Sequence, residues 1–136
     1  MSKLETPMTR WYWQQIGGTL VEEFCAVRRA EGCSVRLLDG VIIKGGEFRI
    51  AHQSEVTIEG QDIVVVQAKA KRLGMYLMGQ VVFSAELMKR LKPRSVESVA
   101  LVARDDDVLR PMLEKYQGMR VVVCPLEITS RAKRPR

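Results

Sequence analysis

Hydrophobic positions along this chain change period several times, and each change predicts a new element. Around residues 12–30, Trp11, Trp13, Ile16, Leu20, Phe24 and Val27 recur at helical spacing. That spacing predicts a first helix over 12–30, interrupted at Gly17-Gly18, where a shorter helix would begin, and capped near Gly32. Short apolar runs follow at 35–43, 47–51, 55–58 and 62–70, separated by the turn-forming stretches KGG, HQS and EGQ. They read as a meander of strands. Residues 73–91 form a long apolar stretch stopped by Pro93, which predicts a second helix. A strand at 95–103, a helix at 105–118 opened by acidic residues and closed by Gly118, and a strand at 119–125 complete the order α-β-β-β-α-β-α-β. An extra short strand fits in the meander. Such an order describes a mixed α/β domain with an antiparallel beginning and crossover units that favour parallel pairing.

At 136 residues the chain is one domain's length. The expected organisation is a single unit over 1–128 with a flexible basic tail over 129–136. Nothing approaches the roughly 20 apolar residues that cross a bilayer, and the first residues lack a secretory pattern. No membrane partner is expected. The three cysteines are widely spaced without a CxxC pair, and His52 is the single histidine, which argues against a zinc site or a disulfide framework. A reduced, cytoplasmic setting is the expectation. The net charge of +6 adds a partner. Basic residues collect at 69–72, at 89–94 and in the tail, and clustered cations favour polyanions because neutralising phosphates releases counterions.

One strand carries an oddity. Along 62–70, Val65, Gln67 and Lys69 project to one face while Val64, Val66 and Ala68 project to the other. A polar pair at the end of a buried strand is either an ordinary exit to solvent or half of a site. Asp39, inside LLDGVII, is also costly to bury without a partner. Glu22 and Glu23 lie on the expected first helix. A hard divalent cation explains these acids together: Asp39, Gln67, the Ala68 carbonyl and Glu22 would hold Mg2+ (or Mn2+). Lys69 beside it would orient water or neutralise charge on a phosphate.

An acid on an opening helix, Asp on one strand and (Asp/Glu/Gln)-x-Lys on the next resembles the PD-(D/E)xK nuclease superfamily. The resemblance spans residue 17 to about 103 and implies a restriction-endonuclease-like α-β-β-β-α-β core, here a mixed β-sheet flanked by helices with a C-terminal α-β extension. By position, GTLVEE supplies Glu22 (with Glu23 in support), LLDG supplies Asp39, and QAK supplies Gln67 and Lys69. Gln80 is similar to a glutamine that follows the lysine in RecB-like branches. Glutamine stands where the family usually has an acid, no proline precedes Asp39, and 27 residues separate Asp39 from Gln67. The resemblance implies a Mg-dependent endonuclease that hydrolyses phosphodiester bonds, with DNA as substrate and a homodimer or larger nuclease complex as the assembly. Lys71, Arg72, Arg131, Lys133 and Arg134 are the expected nucleic-acid contacts.

Plainer readings compete at each position. The glutamates suit a solvated helix face, Asp39-Gly40 suits a turn, and Lys69 can reach water from any strand end. Asp105–Asp107 suit a helix N-terminus better than a metal cluster, and Met75, Met78 and Met88 suit core filling. Two other functions are compatible with those readings. One is a catalytically inactive nuclease-fold subunit that binds nucleic acid or assembles with a partner; the other is a protein-interaction domain with a solubilising tail.

Overall fold

Pro7 marks the real start of the first helix. Its fixed φ and missing N–H suit a first helical turn, and α1 runs Thr6–Ile16. The structure, a computed structural model, describes residues 4–133. Gly17 and Gly18 then turn the chain at φ +76 and +86. A side chain at Gly18 would place its Cβ 2.4 Å from the Ile43 carbonyl oxygen. The pair is therefore a junction between elements, and the chain leaves it as a strand, β1 (Thr19–Val27).

This corrects the expectation of a helix over 12–30, and with it the placement of Glu22 and Glu23 on a helix. The physical reason lies at Glu23, whose φ of +49 is left-handed. Beyond it the burial changes phase, so Val21, Phe24 and Ala26 all enter the same cluster. Apolar residues spaced by three and then two imitate a helical period. On the neighbouring strand β2 (Arg36–Ile43), Leu38, Val41 and Ile43 enter that cluster with the same broken spacing. The phase therefore slips on both strands at the level of Asp39.

The chain continues through β3 (Arg49–Ile50), a single 3-10 turn (Gln53–Glu55), β4 (Asp62–Arg72), α2 (Met75–Lys89), β5 (Ser95–Arg104), α3 (Leu109–Glu114), β6 (Met119–Val123) and α4 (Leu126–Lys133). The run at 55–58, expected as a strand, enters no ladder; Val56 and Ile58 pack onto the core from a loop instead. Helix α4 occupies the start of the expected flexible tail and sets Ile128 against the α1 side of the core.

One six-stranded mixed sheet results, in the order β3-β1-β2-β4-β5-β6. β2 pairs antiparallel with β1 and β4, whereas β4, β5 and β6 are parallel neighbours. α1 and the end of the chain cover one face, through Met8, Tyr12, Trp13 and Cys124. α2 and α3 cover the other, through Leu77, Val81, Met88 and Leu113. In β4 every residue from Ile63 to Val66 is buried, the unbroken apolar run of a strand covered on both faces. Each such side chain contributes about 1.5–3 kcal/mol of burial.

Side chains finish the sheet where backbone pairing stops. At the β1 edge, the Gln53 amide accepts from the Cys25 N–H at 2.8 Å and donates to its carbonyl at 3.0 Å. At the β6 edge, Glu114 accepts from the Val121 N–H at 2.9 Å and Arg110 donates to its carbonyl at 3.2 Å. Unpaired edges invite strand addition, and both are occupied here.

Gly18 is the position where sequence and shape are most tightly tied, because its carbonyl also accepts the Trp13 indole N–H at 2.6 Å. Replacing Gly18 with Ala is expected to lower stability by at least about 2 kcal/mol, combining left-handed strain with overpacking. Urea unfolding with an unchanged m-value would measure it, and a loss within experimental error would contradict the junction.

Candidate active site

The β2–β4 ladder runs from Ile43↔Ile63 to Gly40↔Val66 and ends there. Gly40 packs closely under α1 at that point: a Cβ on it would approach Thr9 Cγ2 to 3.0 Å and Leu20 Cδ1 to 3.2 Å, so both would have to shift. Past Gly40 two side chains bridge the strands. The Asp39 N–H donates to Gln67 Oε1 at 3.3 Å, and the Ala68 N–H donates to Asp39 Oδ2 at 2.8 Å. On its other side the Gln67 amide donates from Nε2 to Ser84 Oγ of α2 at 2.7 Å, deep enough that Gln67 is only 6% exposed. Asp39 is half-buried, and Lys69 is exposed one strand period beyond Gln67.

Charges compete over Asp39. Burial pushes its carboxyl above the usual range, the Ala68 N–H pulls it down, Glu5 pushes it up again and Lys69 pulls it down. Glu5 is the N-cap residue of α1. Desolvation wins, so Asp39 holds a charge that its surroundings do not fully compensate. A cation would complete the balance.

The structure thus joins Asp39, Gln67 and Ala68 by hydrogen bonds, leaves Lys69 exposed two residues beyond Gln67 where its charge acts on Asp39, and treats the other expected residues differently. Glu22 stands opposite Gly40 on β1, but its carboxylate is held bidentately by Arg10 of α1, with both contacts at 2.9 Å. The expectation of Glu22 on a helix is corrected to a strand, where Arg10 engages its carboxylate. Glu23 instead lines a cavity of about 690 Å3 with Cys25, Arg28 and His52. His52 caps the 3-10 turn in a reciprocal box with Glu55. Gln80 is exposed on α2 and lines a groove of about 370 Å3 whose wall includes Gln67 and Ser84. Lys71 is exposed, and Arg72 donates from Nη1 to the Asp105 carbonyl at 2.6 Å, which ties it to the β5–α3 loop. The side chains of Arg131 and Lys133, and the whole of Arg134, lie outside the described residues. In the acidic stretch, Asp106 Oδ1 accepts the N–H groups of Val108 and Leu109 at 3.0 and 2.8 Å, the arrangement of a helix start.

Sequence reasoning missed Glu5 and Ser84. Glu5 stands just before Thr6-Pro7, a helix-start signal that puts the acid at the N-cap of the opening helix. Ser84 carried no signal except its position in an otherwise apolar helix. As a donor set, the Asp39 carboxylate, the Gln67 amide oxygen and a strand carbonyl are hard oxygens, which suit Mg2+ or Mn2+ with retained waters, and Glu5 acts on Asp39 as a charge. Among the described residues no three His, Cys, Asp or Glu side chains converge as a cage. The set fits a cation that keeps much of its hydration. No helix of the described residues is long and apolar enough to cross a membrane. Comparison with protein-family models, curated proteins and solved structures gave no match.

Two substitutions separate a strained charge from a merely polar strand end. A raised folded-state pKa means that ionised Asp39 costs stability once pH rises above the carboxyl's range. Asn keeps an acceptor for the Ala68 N–H without the charge. In metal-free buffer Asp39→Asn is therefore expected to raise Tm at pH 7, with the gain shrinking towards pH 3; a lower Tm at pH 7 would contradict it. Gln67→Glu adds a second carboxylate beside Asp39, and like charges there are destabilising. It should lower Tm in EDTA by several degrees, about 1–2 kcal/mol for a domain of this size, and recover most of that loss in millimolar Mg2+. Thermal scans with and without cation would show whether recovery occurs.

Proposed function

We propose that this protein is a metal-dependent nuclease that hydrolyses phosphodiester bonds in DNA, with its site at the β2–β4 splay. The observation that carries the reading is the hydrogen-bonded meeting of Asp39 with Gln67 and Ala68, with the Lys69 charge acting on the same carboxyl, although 27 residues separate Asp39 from Gln67. The order α1-β1-β2-β4-α2-β5 supports a restriction-endonuclease-like core, with β3 and its loop inserted between the second and third core strands. In this reading Glu5 is the opening-helix acid, acting on Asp39 as a charge.

Asp39, the Ala68 carbonyl and the Gln67 oxygen would hold Mg2+ or Mn2+. When bound, such an ion supplies Lewis-acid stabilisation of phosphoryl oxygens and acidifies water. The protein's own groups do the rest. Lys69 reaches solvent beside the site and would neutralise the phosphate as negative charge grows on it. A water oxygen bonds to phosphorus and its proton passes to solvent, while the P–O ester bond opposite breaks and the departing oxygen takes up a proton. Gln67, locked by Ser84, keeps the Asp39 backbone in place and so orients the carboxylate without adding charge. Lys71 and the exposed ends of β4 and β5, including Arg104, present cations where the rest of the strand would lie.

A second reading rests on a specific feature. Gln67 Oε1 is engaged by the Asp39 N–H and the Glu22 carboxylate by Arg10. With those oxygens engaged, the fold would serve as a nucleic-acid-binding or assembly subunit without turnover. Nicking of plasmid, linear and branched DNA in Mg2+ or Mn2+ separates the two. The nuclease reading expects wild-type cleavage that falls at least about 100-fold in Asp39→Asn and in Lys69→Ala, the scale seen when one transition-state-stabilising group is lost. Cleavage that persists in both variants would exclude this mechanism, and DNA binding without cleavage or cation uptake would favour the subunit.

A further inference from the structure

The splay that exposes Asp39 also opens a groove between the start of β2 and the outer face of α2, and Gln67 forms part of its wall. Its other lining is unusual for a surface cleft. Tyr76 and Phe83 project from α2 at 80% and 68% exposure, and Leu37 faces them from β2 at 55%. Gln80 lies between the two aromatic residues on the same helix, and Arg36 borders the groove from β2. On α2, positions 76, 80 and 83 share one face, so the rings and the amide form a single stripe. The side of α2 that packs on the sheet is built from Leu77, Val81, Ser84, Ala85 and Met88, so the core does not need Tyr76 or Phe83.

We infer that this groove is a subsite for an unpaired nucleotide, and that the substrate is single-stranded or locally unpaired DNA rather than continuous duplex. The inference rests on the nuclease reading for the neighbouring phosphate and adds the substrate class. Duplex DNA presents phosphates and sugars to a protein surface while its base faces stay stacked. Two exposed rings beside a phosphate site have no apolar partner on such a backbone. An unpaired base offers two π-faces to stack and polar edges to bond. The volume of about 370 Å3 accommodates a nucleotide, Gln80 offers both a donor and an acceptor to the edge, and Arg36 at the border offers a cation to the attached phosphates.

The test is binding by fluorescence anisotropy in EDTA, which removes cleavage from the readout. The probes are a short labelled oligo(dT) and a duplex of equal length, titrated with wild type and with Tyr76→Ala/Phe83→Ala. The expected result is tighter binding of the single strand, weakened roughly tenfold or more by the double variant at the scale of lost base stacking, with duplex binding unchanged. Both side chains are exposed, and circular dichroism would check that the variant folds. Equal affinity for both probes, or no loss in the variant, would overturn the inference. So would a wild-type dimer by light scattering that the variant converts to monomer, which would make the groove an interface between copies. Asp39→Asn in the same assay keeps the two proposals apart. Retained single-strand preference without wild-type cleavage would leave the groove and remove the nuclease, and cleavage of duplex untouched by the double variant would do the reverse.

Discussion

The pair of hydrogen bonds that replaces the β2–β4 ladder beyond Gly40 is the constraint on which the rest of this molecule depends. A backbone ladder would have held the strands together and buried their polar groups against each other. Here the Asp39 carboxylate accepts from the Ala68 N–H, and the Gln67 amide accepts from the Asp39 N–H. The strands therefore separate without leaving unpaired donors, which would cost about 1–3 kcal/mol each if buried. Separation gives the carboxylate room, reveals Gln67 to the groove and leaves Lys69 at the opening. A charged group, an amide and an ammonium are held by the same geometry that ends the pairing.

The same substitution of side chains for ladder recurs at both rims of the sheet. Gln53 occupies Cys25 of β1, and the Arg110–Glu114 pair occupies Val121 of β6. At the rims the device protects edges that would otherwise recruit strands. In the interior it does the opposite and opens a gap. The difference is what lies opposite: solvent and a short helix at the rims, a second strand whose pairing ends at Gly40 in the centre. Gly40 marks the end of that ladder, and a side chain there would press on Thr9 and Leu20.

Much of this was legible in the chain, for reasons that differ by element. β4 declared itself through an apolar run bounded by polar residues, and Gln67 and Lys69 stood out because alternation made them share a face. β5, β6 and α2 were predictable from length and period. The opening was misread because the left-handed Glu23 broke the alternation of β1 into a spacing that counts like a helix. Glu22 was misplaced as a consequence, and the acid that does reach Asp39 electrostatically, Glu5, was overlooked although Thr6-Pro7 announced the helix behind it. α4 gave too little signal, since Ile128 and the buried Thr129 are its described contributions to packing. No local pattern could reveal Arg10 on Glu22 or Ser84 on Gln67, because both pairings come from helices crossing the sheet.

An amide at position 67 also makes sense in the electrostatics of the splay. Asp39 already carries a carboxyl that burial pushes towards its neutral form, and Glu5 pushes it the same way. A third acid, buried as deeply as Gln67, would raise the cost of ionisation for all of them. The amide keeps the acceptor that the Asp39 N–H needs and adds a donor for Ser84, so both of its ends are satisfied without charge. A divalent cation beside Asp39 would favour its ionised form and add positive charge at the splay. A polyanion would then meet a site whose sign favours it, continued outward by Lys71 and Arg104 and flanked by Arg36 at the groove. Among the described residues, ion pairs form elsewhere, at Glu97, Asp62 and Arg110, so Asp39 is set apart by being half-buried with no cation in contact with it.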